Sequence, residues 1–193
     1  AIVQLGSVSA DGPDKIIVNN LQLASSAAHP RRPIVTIHRA VLHGDLDIAN
    51  WVQNTIRVTH IDLHGVRVDV WRNAHDVWSV QTLKPHPLPN AVTPSLRFQD
   101  VTLRLFSEAG PKASVLSLSD LQGSVEPIAV GAMAGSVPPV AVSKPPLEVQ
   151  LSCRSTGLIK RLKLTGVVDL TAQTWSADGA VDSAKRWAAR KSS

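Results

Sequence analysis

Tyrosine is absent from these 193 residues, phenylalanine occurs twice, and cysteine and methionine occur once each. A single cysteine, Cys153, excludes an internal disulfide and any cysteine-based zinc site. Charged residues make up 18%, below the usual share of about a quarter. No run of about 20 apolar residues occurs, so no segment reads as a membrane-spanning helix, and no signal peptide is visible. There is no Gly-x-Ser-x-Gly elbow for a triad hydrolase and no glycine-rich loop for phosphate. The net charge is +5, yet the basic residues are scattered, with small groups at Arg31-Arg32, Lys160-Arg161-Lys163 and Lys185 to Lys191. Nucleic-acid binders concentrate such charge on one face with aromatics between, so no nucleic-acid partner is expected. Attraction to an anionic lipid or acidic surface fits the charge equally well.

What the chain has instead is Val, Leu, Ile and Thr in short alternating runs, the composition of strands. The clearest stretch is Ile56 to Trp78. Ile56-x-Val58 is followed by Thr59-His60, then Ile61-x-Leu63, then His64-Gly65, then Val66-x-Val68-x-Val70. Period-2 alternation marks a strand with one face in a core. A one-residue slip moves the apolar set to the other face unless a bulge or bend absorbs it. The stretch therefore predicts a bent strand pair that keeps its aliphatics pointing inwards.

The same unit, two apolar positions, two polar residues and two more apolar positions, begins at Ile16, Val35, Ile56, Leu96 and Leu116, with a looser copy at Leu162. Repetition of a unit that cannot bury its face alone predicts stacking into one long sheet. The expected fold class is mainly β: an elongated, curled antiparallel sheet, a β-groove or half-pipe, with one or two short helices. Residues 1–127 form its first part, 128–146 a Gly/Pro-rich loop, and 147–193 a continuation that ends in a truncated helix start at Ser183 to Lys191. Ser7 to Lys15 reads as a turn or loop around Asp11-Gly12-Pro13. Leu46 to Val52 suits a short helical turn with Asp45 as its N-cap. The strand-like opening and the unfinished end suggest a piece of a longer chain.

Several of these segments together resemble the AsmA-like family, which includes TamB-like proteins and their bridge-like relatives. Ile34 to Leu42 is similar to a first groove strand, and Leu46 to Trp51 to a short amphipathic insertion. Ile56 to Val70 and the following Asp76-Val-Trp-Ser-Val-Gln-Thr-Leu83 continue the likeness. Leu162 to Leu170 with Thr174-Trp175-Ser176 is similar to later groove strands. The segment Ile128 to Pro146 departs from the repeat and leaves the register of the second half open. The resemblance implies a non-enzymatic envelope protein whose apolar groove carries phospholipids between inner and outer membrane. It implies a periplasmic location, with the parent protein anchored in the inner membrane by a part of the chain not present here. Phospholipid acyl chains are the implied partner; no cofactor and no specific protein partner is indicated. The residues expected to line the groove are Ile37, Ile56, Val58, Ile61, Leu63, Val66, Val68, Phe98, Val101 and Leu103.

Two other readings stay open on the residues. Alternating aliphatics also build a closed β-rich binding or scaffold module. His60-x-Asp62-x-His64 would share one face of a regular strand, and such residues ligate zinc or iron in a metal-dependent hydrolase, with His38 and His43 nearby. The slip at Thr59-His60 instead places these side chains on the outer, polar face, so neither a metal nor a catalytic residue is expected. Trp51, Trp71, Trp78 and Trp175 read as caps on apolar layers, and Trp187 as part of a solvated helix start.

Overall fold

Two apolar positions on either side of two polar ones make a strand with two arms and a bend between them. Ten such or shorter strands form one open sheet in the computed structural model, which describes residues 2–24, 33–46, 50, 53, 56–72, 78–83, 93–106, 116–128, 145–154, 159–169 and 174–183. In chain order they are β1 (Ile2–Gln4), β2 (Ser7–Ala10), β3 (Lys15–Ala24), β4 (Pro33–Asp45), β5 (Arg57–Trp71), β6 (Ser95–Phe106), β7 (Leu116–Pro127), β8 (Leu147–Arg154), β9 (Ile159–Asp169) and β10 (Thr174–Ser183). The sheet order follows the chain from β3 to β10, and β1 and β2 both pair with the outer edge of β3. One 3₁₀ turn, Ser79–Thr82, lies between β5 and β6. The protein is thus mainly β, an open sheet that curls without closing.

The curl has a local cause. Asn20, Asp100 and Asp120 have φ of 53°, 54° and 52°, and Gly65 has φ of 62°. Each is the second residue of a polar pair: Asn19-Asn20, His64-Gly65, Gln99-Asp100 and Ser119-Asp120. A left-handed residue inside a strand reverses the pleat once, so the apolar residues before and after it face the same side. Asn, Asp and Gly tolerate that conformation best. The pairs also stack in register. Asn19 pairs with Arg39, Arg39 with His64, and His64 with Gln99. Gly6, between β1 and β2, donates its N–H to Asn19 O at 3.1 Å, so the break in the edge strand falls at the same level. The result is a crease across the sheet. A Cβ on Gly65 would sit 2.9 Å from His38 Cβ, which leaves no room for a side chain where β4 and β5 bend together.

The core is the inner angle of this crease. Ile37, Ala40, Val66, Val101 and Leu121 immediately flank the polar pairs, and with Cys153 they form the buried cluster, none more than 9% exposed. Val18, Leu21, Leu63, Phe98, Leu103 and Leu118 pack against them. Farther out the same face opens, and Leu116 is 40% exposed. Substantial contacts among the described elements run only between hydrogen-bonded neighbours and from β5 to the 3₁₀ turn. No second layer among the described residues covers the apolar face.

Several expectations change. Within Ile56 to Trp78, Arg57–Trp71 is one 15-residue strand, not a strand pair, because the left-handed Gly65 bends the chain without ending the ladder; residues 73–77 lie outside the described residues. Ser7 to Ala10 is strand β2, because the edge of β3 offers unpaired backbone groups to Ser-Val-Ser-Ala. Pairing is antiparallel throughout except between β5 and β6, which run parallel. Asp45 closes β4, and its Oδ1 accepts a hydrogen bond from Asn50 Nδ2 at 2.5 Å. Ser183 ends β10. The remainder of the expected helix start, the helical turn at 47–49 and 51–52, and the interior of the Gly/Pro-rich segment at 129–144 lie outside the described residues. The two ends of that last segment meet, with Ile128 N–H donating to Pro146 O at 2.8 Å.

Replacing a left-handed Asp by a β-branched residue costs roughly 1–2 kcal/mol, whereas Gly adopts the conformation freely. In urea denaturation, Asp100→Val is expected to lose about that much stability and Asp100→Gly to stay within a few tenths of the parent. Equal losses from both would mean that the bend does not depend on backbone conformation at Asp100.

Candidate functional site: an apolar face backed by a polar one

The apolar face is continuous along the sheet. Register places Val18, Ala40, Leu63, Phe98, Gly123, Leu151, Leu164 and Gly179 in one row across eight strands. At about 4.8 Å per strand spacing, seven gaps give a row on the order of 34 Å long. A parallel row beyond the crease holds Leu23, Val35, Val68, Leu103 and Leu118. Gly123 has a specific role in the first row: a Cβ there would lie 2.8 Å from Phe98 Cζ, so the ring lies over the glycine and the floor stays level.

Seven of the ten residues expected on this face are brought together in the core cluster or against it: Ile37, Leu63, Val66, Val68, Phe98, Val101 and Leu103. Ile61 continues the face, in register with Leu42 and Leu96. Val58 lies opposite Gly44, just past a register shift that absorbs the slip at Thr59. Ile56 stands before β5 and is 37% exposed, outside the cluster. Sequence reasoning passed over Leu121, Cys153 and Gly123, although the alternation in β7 and β8 carried the signal for the first two. Trp175 sits on the apolar phase of β10, opposite Val168, and is 76% exposed rather than capping a layer. Trp71 does cap one: with Ile34 and Phe106 it forms a second buried cluster, against which Val35 and Leu83 pack. Leu83 thereby ties the described part of the β5–β6 crossover to that end of the sheet, away from the row of Leu63 and Phe98. Trp78 stacks under the Arg72 guanidinium at 5.0 Å, whereas Trp51 and Trp187 lie outside the described residues.

The opposite face carries two charged groupings, beside buried Val41 and, at one end, Trp71 and Phe106. Asp69 and Arg104 are register partners on β5 and β6. Arg104 Nε donates to Asp69 Oδ1 at 2.8 Å and its NH2 group to Oδ2 at 2.6 Å. The Asp69 side chain is only 8% exposed, so the fork is its counter-charge, and these hydrogen bonds raise the Arg104 pKa further.

The second grouping bears on the alternative reading of His60-x-Asp62-x-His64. His43 on β4 takes the place of His64, because antiparallel pairing sets it opposite His60. His43 Nε2 lies 3.2 Å from Asp62 Oδ2, and His60 Nε2 lies 3.0 Å from Asp62 Oδ1. His60 Nδ1 lies 2.7 Å from Ser95 Oγ, the first residue of β6. Partial burial pulls the Asp62 pKa upwards, but the hydrogen bonds and charges of His60 and His43 outweigh it and hold the carboxyl below its ordinary value. Among the described residues no group of three or more His, Cys, Asp or Glu is arranged to hold a metal ion. The two imidazoles each bond a carboxylate oxygen instead of converging on a common point.

The chain matches no protein-family model and no curated protein. None of its described helices is long and apolar enough to cross a membrane.

Two expected outcomes follow from the polar face. Arg104→Leu strands a buried carboxylate and is expected to cost about 3 kcal/mol in chemical denaturation, most of it recovered in the double variant with Asp69→Leu. A depressed carboxyl pKa contributes stability that is present above the unfolded value and lost as pH falls through the folded one. Stability of the parent should therefore decline below the ordinary carboxyl value of 3.8, and Asp62→Asn should flatten that decline in acid titrations of unfolding.

Proposed function

We propose that this chain forms part of an apolar β groove that shields phospholipid acyl chains on their way between the inner and outer membranes of a cell envelope, as its resemblance to AsmA-like proteins implies. The observation that carries the reading is the aliphatic face that runs across strand after strand with no second layer over it among the described residues. Each methylene taken out of water contributes about 0.8 kcal/mol, so ten of them leave water at a gain on the order of 8 kcal/mol. A row of about 34 Å exceeds one leaflet of hydrocarbon, roughly half of a 30 Å core. The charged groupings lie on the opposite face. An acyl chain sliding along the rows would meet repeated Val, Leu, Ile and Phe side chains and no convergent polar trap. In this reading the groove carries lipid without a cofactor and without a reaction on it, in the periplasm.

Leu96 and Leu116 lie on this face but away from the crease, so charges there spoil the trough without opening the core. Native mass spectrometry of the purified chain is expected to show bound phospholipid. In Leu96→Asp with Leu116→Asp, binding of a fluorescent fatty acid should weaken at least tenfold, the equivalent of about 1.4 kcal/mol. A chain free of lipid that binds the probe no better than the double variant would remove the conduit reading.

A further inference from the structure

The contact between Ser95, His60 and Asp62 is not used by an apolar groove, and it lies on the other face. We infer that Ser95 is an activated nucleophile on the polar face and accepts an acyl group from small water-soluble esters, with His60 as the base and Asp62 and His43 as positioning residues.

The protonation pattern follows from geometry. A carboxylate only accepts, so His60 Nε2, 3.0 Å from Asp62 Oδ1, carries the ring proton and donates it. The neutral ring then has its lone pair on Nδ1, and the Ser95 hydroxyl, 2.7 Å away, donates to it. Thr59 O, at 3.3 Å, is the second acceptor within reach of that hydroxyl. The ionised carboxylate of Asp62, an acceptor only, holds this tautomer. His43 Nε2 bonds the other carboxylate oxygen, and its ring stands 5.8 Å from that of His60, which fixes the carboxylate between two strands. Compared with the familiar serine hydrolase triad the ring is used in reverse, hydroxyl on Nδ1 and carboxylate on Nε2, but either nitrogen serves as a base.

All three groups sit on neighbouring strands, where ladder hydrogen bonds hold them in place. The side chains of His60 and Asp62 are 30% and 25% exposed, and Ser95 is half-buried, so the grouping lies at the surface. In the step, Ser95 Oγ bonds to the ester carbonyl carbon as its proton passes to His60 Nδ1. The carbon–oxygen bond to the leaving group then breaks, and the departing alkoxide takes that proton. The product is an O-acyl serine and a free alcohol.

A fluorophosphonate probe tests this directly. It forms an Oγ–phosphorus bond at an activated serine and releases fluoride, with the hydroxyl proton passing to His60 and then to water. Intact mass and peptide mapping of the folded chain are expected to show one adduct, at Ser95, and none after unfolding in urea. Ser95→Ala should take no label. His60→Ala should label at least tenfold more slowly, with imidazole in the buffer restoring part of the rate. p-Nitrophenyl acetate should leave one acetyl group on the same residue. No adduct on the folded chain, an adduct at another serine, equal labelling of folded and unfolded chain, or an unchanged rate in a folded His60→Ala each overturns the inference. The folded-against-unfolded comparison needs no variant and holds even where His60→Ala fails to fold.

Discussion

A single left-handed residue in each of β3, β5, β6 and β7, at one level of the sheet, is the constraint on which the crease rests. A flat sheet with one apolar face has nowhere to put that face, because burying it requires a second layer. Here the second layer is the sheet itself. Each of several strands reverses its pleat at a polar pair, and the aliphatics above and below the reversal come to face one another across the angle. The side chains adjoining the bend, Ile37, Ala40, Val66, Val101 and Leu121, form the buried cluster of the crease with Cys153, while Ile34, Trp71 and Phe106 form a second buried cluster at one end of the sheet. Hydrophobic burial and backbone conformation therefore act at the same place. The modest cost of holding Asn20, Asp100 and Asp120 left-handed is offset by contacts that exist only because they are left-handed.

This division of labour between faces separates two kinds of chemistry. The apolar side contributes area without direction, which suits a flexible hydrocarbon. The polar side holds directional contacts between fixed register partners: the Arg104 fork on Asp69, and the chain from His43 through Asp62 and His60 to Ser95. These tie β4, β5 and β6 together where the one parallel pair interrupts an otherwise antiparallel ladder.

Much of the fold could be read in the sequence, because the periodicity that buries a strand is written in its own residues. The doubled polar positions at His64-Gly65, Gln99-Asp100 and Ser119-Asp120 marked the bends, and the aliphatics beside them marked the core. What the sequence withheld was partnership between strands. Nothing in Ile56 to Trp78 says that β6 returns parallel to β5, since that depends on where a 23-residue connection (72–94) carries the chain. Register then decides which histidine meets Asp62. Spacing along one strand favoured His64, whereas pairing across strands supplied His43 and brought in Ser95 from 35 residues away. β2 was missed because Ser-Val-Ser-Ala has little apolar signal, and an open edge recruits such a segment through its backbone alone.

The crease also fixes the proportions of the molecule. Its position within a strand sets how much of that strand lies on each arm, and so the width and depth of the channel in cross-section. The number of strands sets only the length. Adding a strand that carries its polar pair at the matching height would extend the channel by about 4.8 Å and leave the cross-section unchanged. A pair displaced by two residues would step the wall. Length and bore are thus written in separate parts of the sequence, one in how many units there are and the other in where each unit turns.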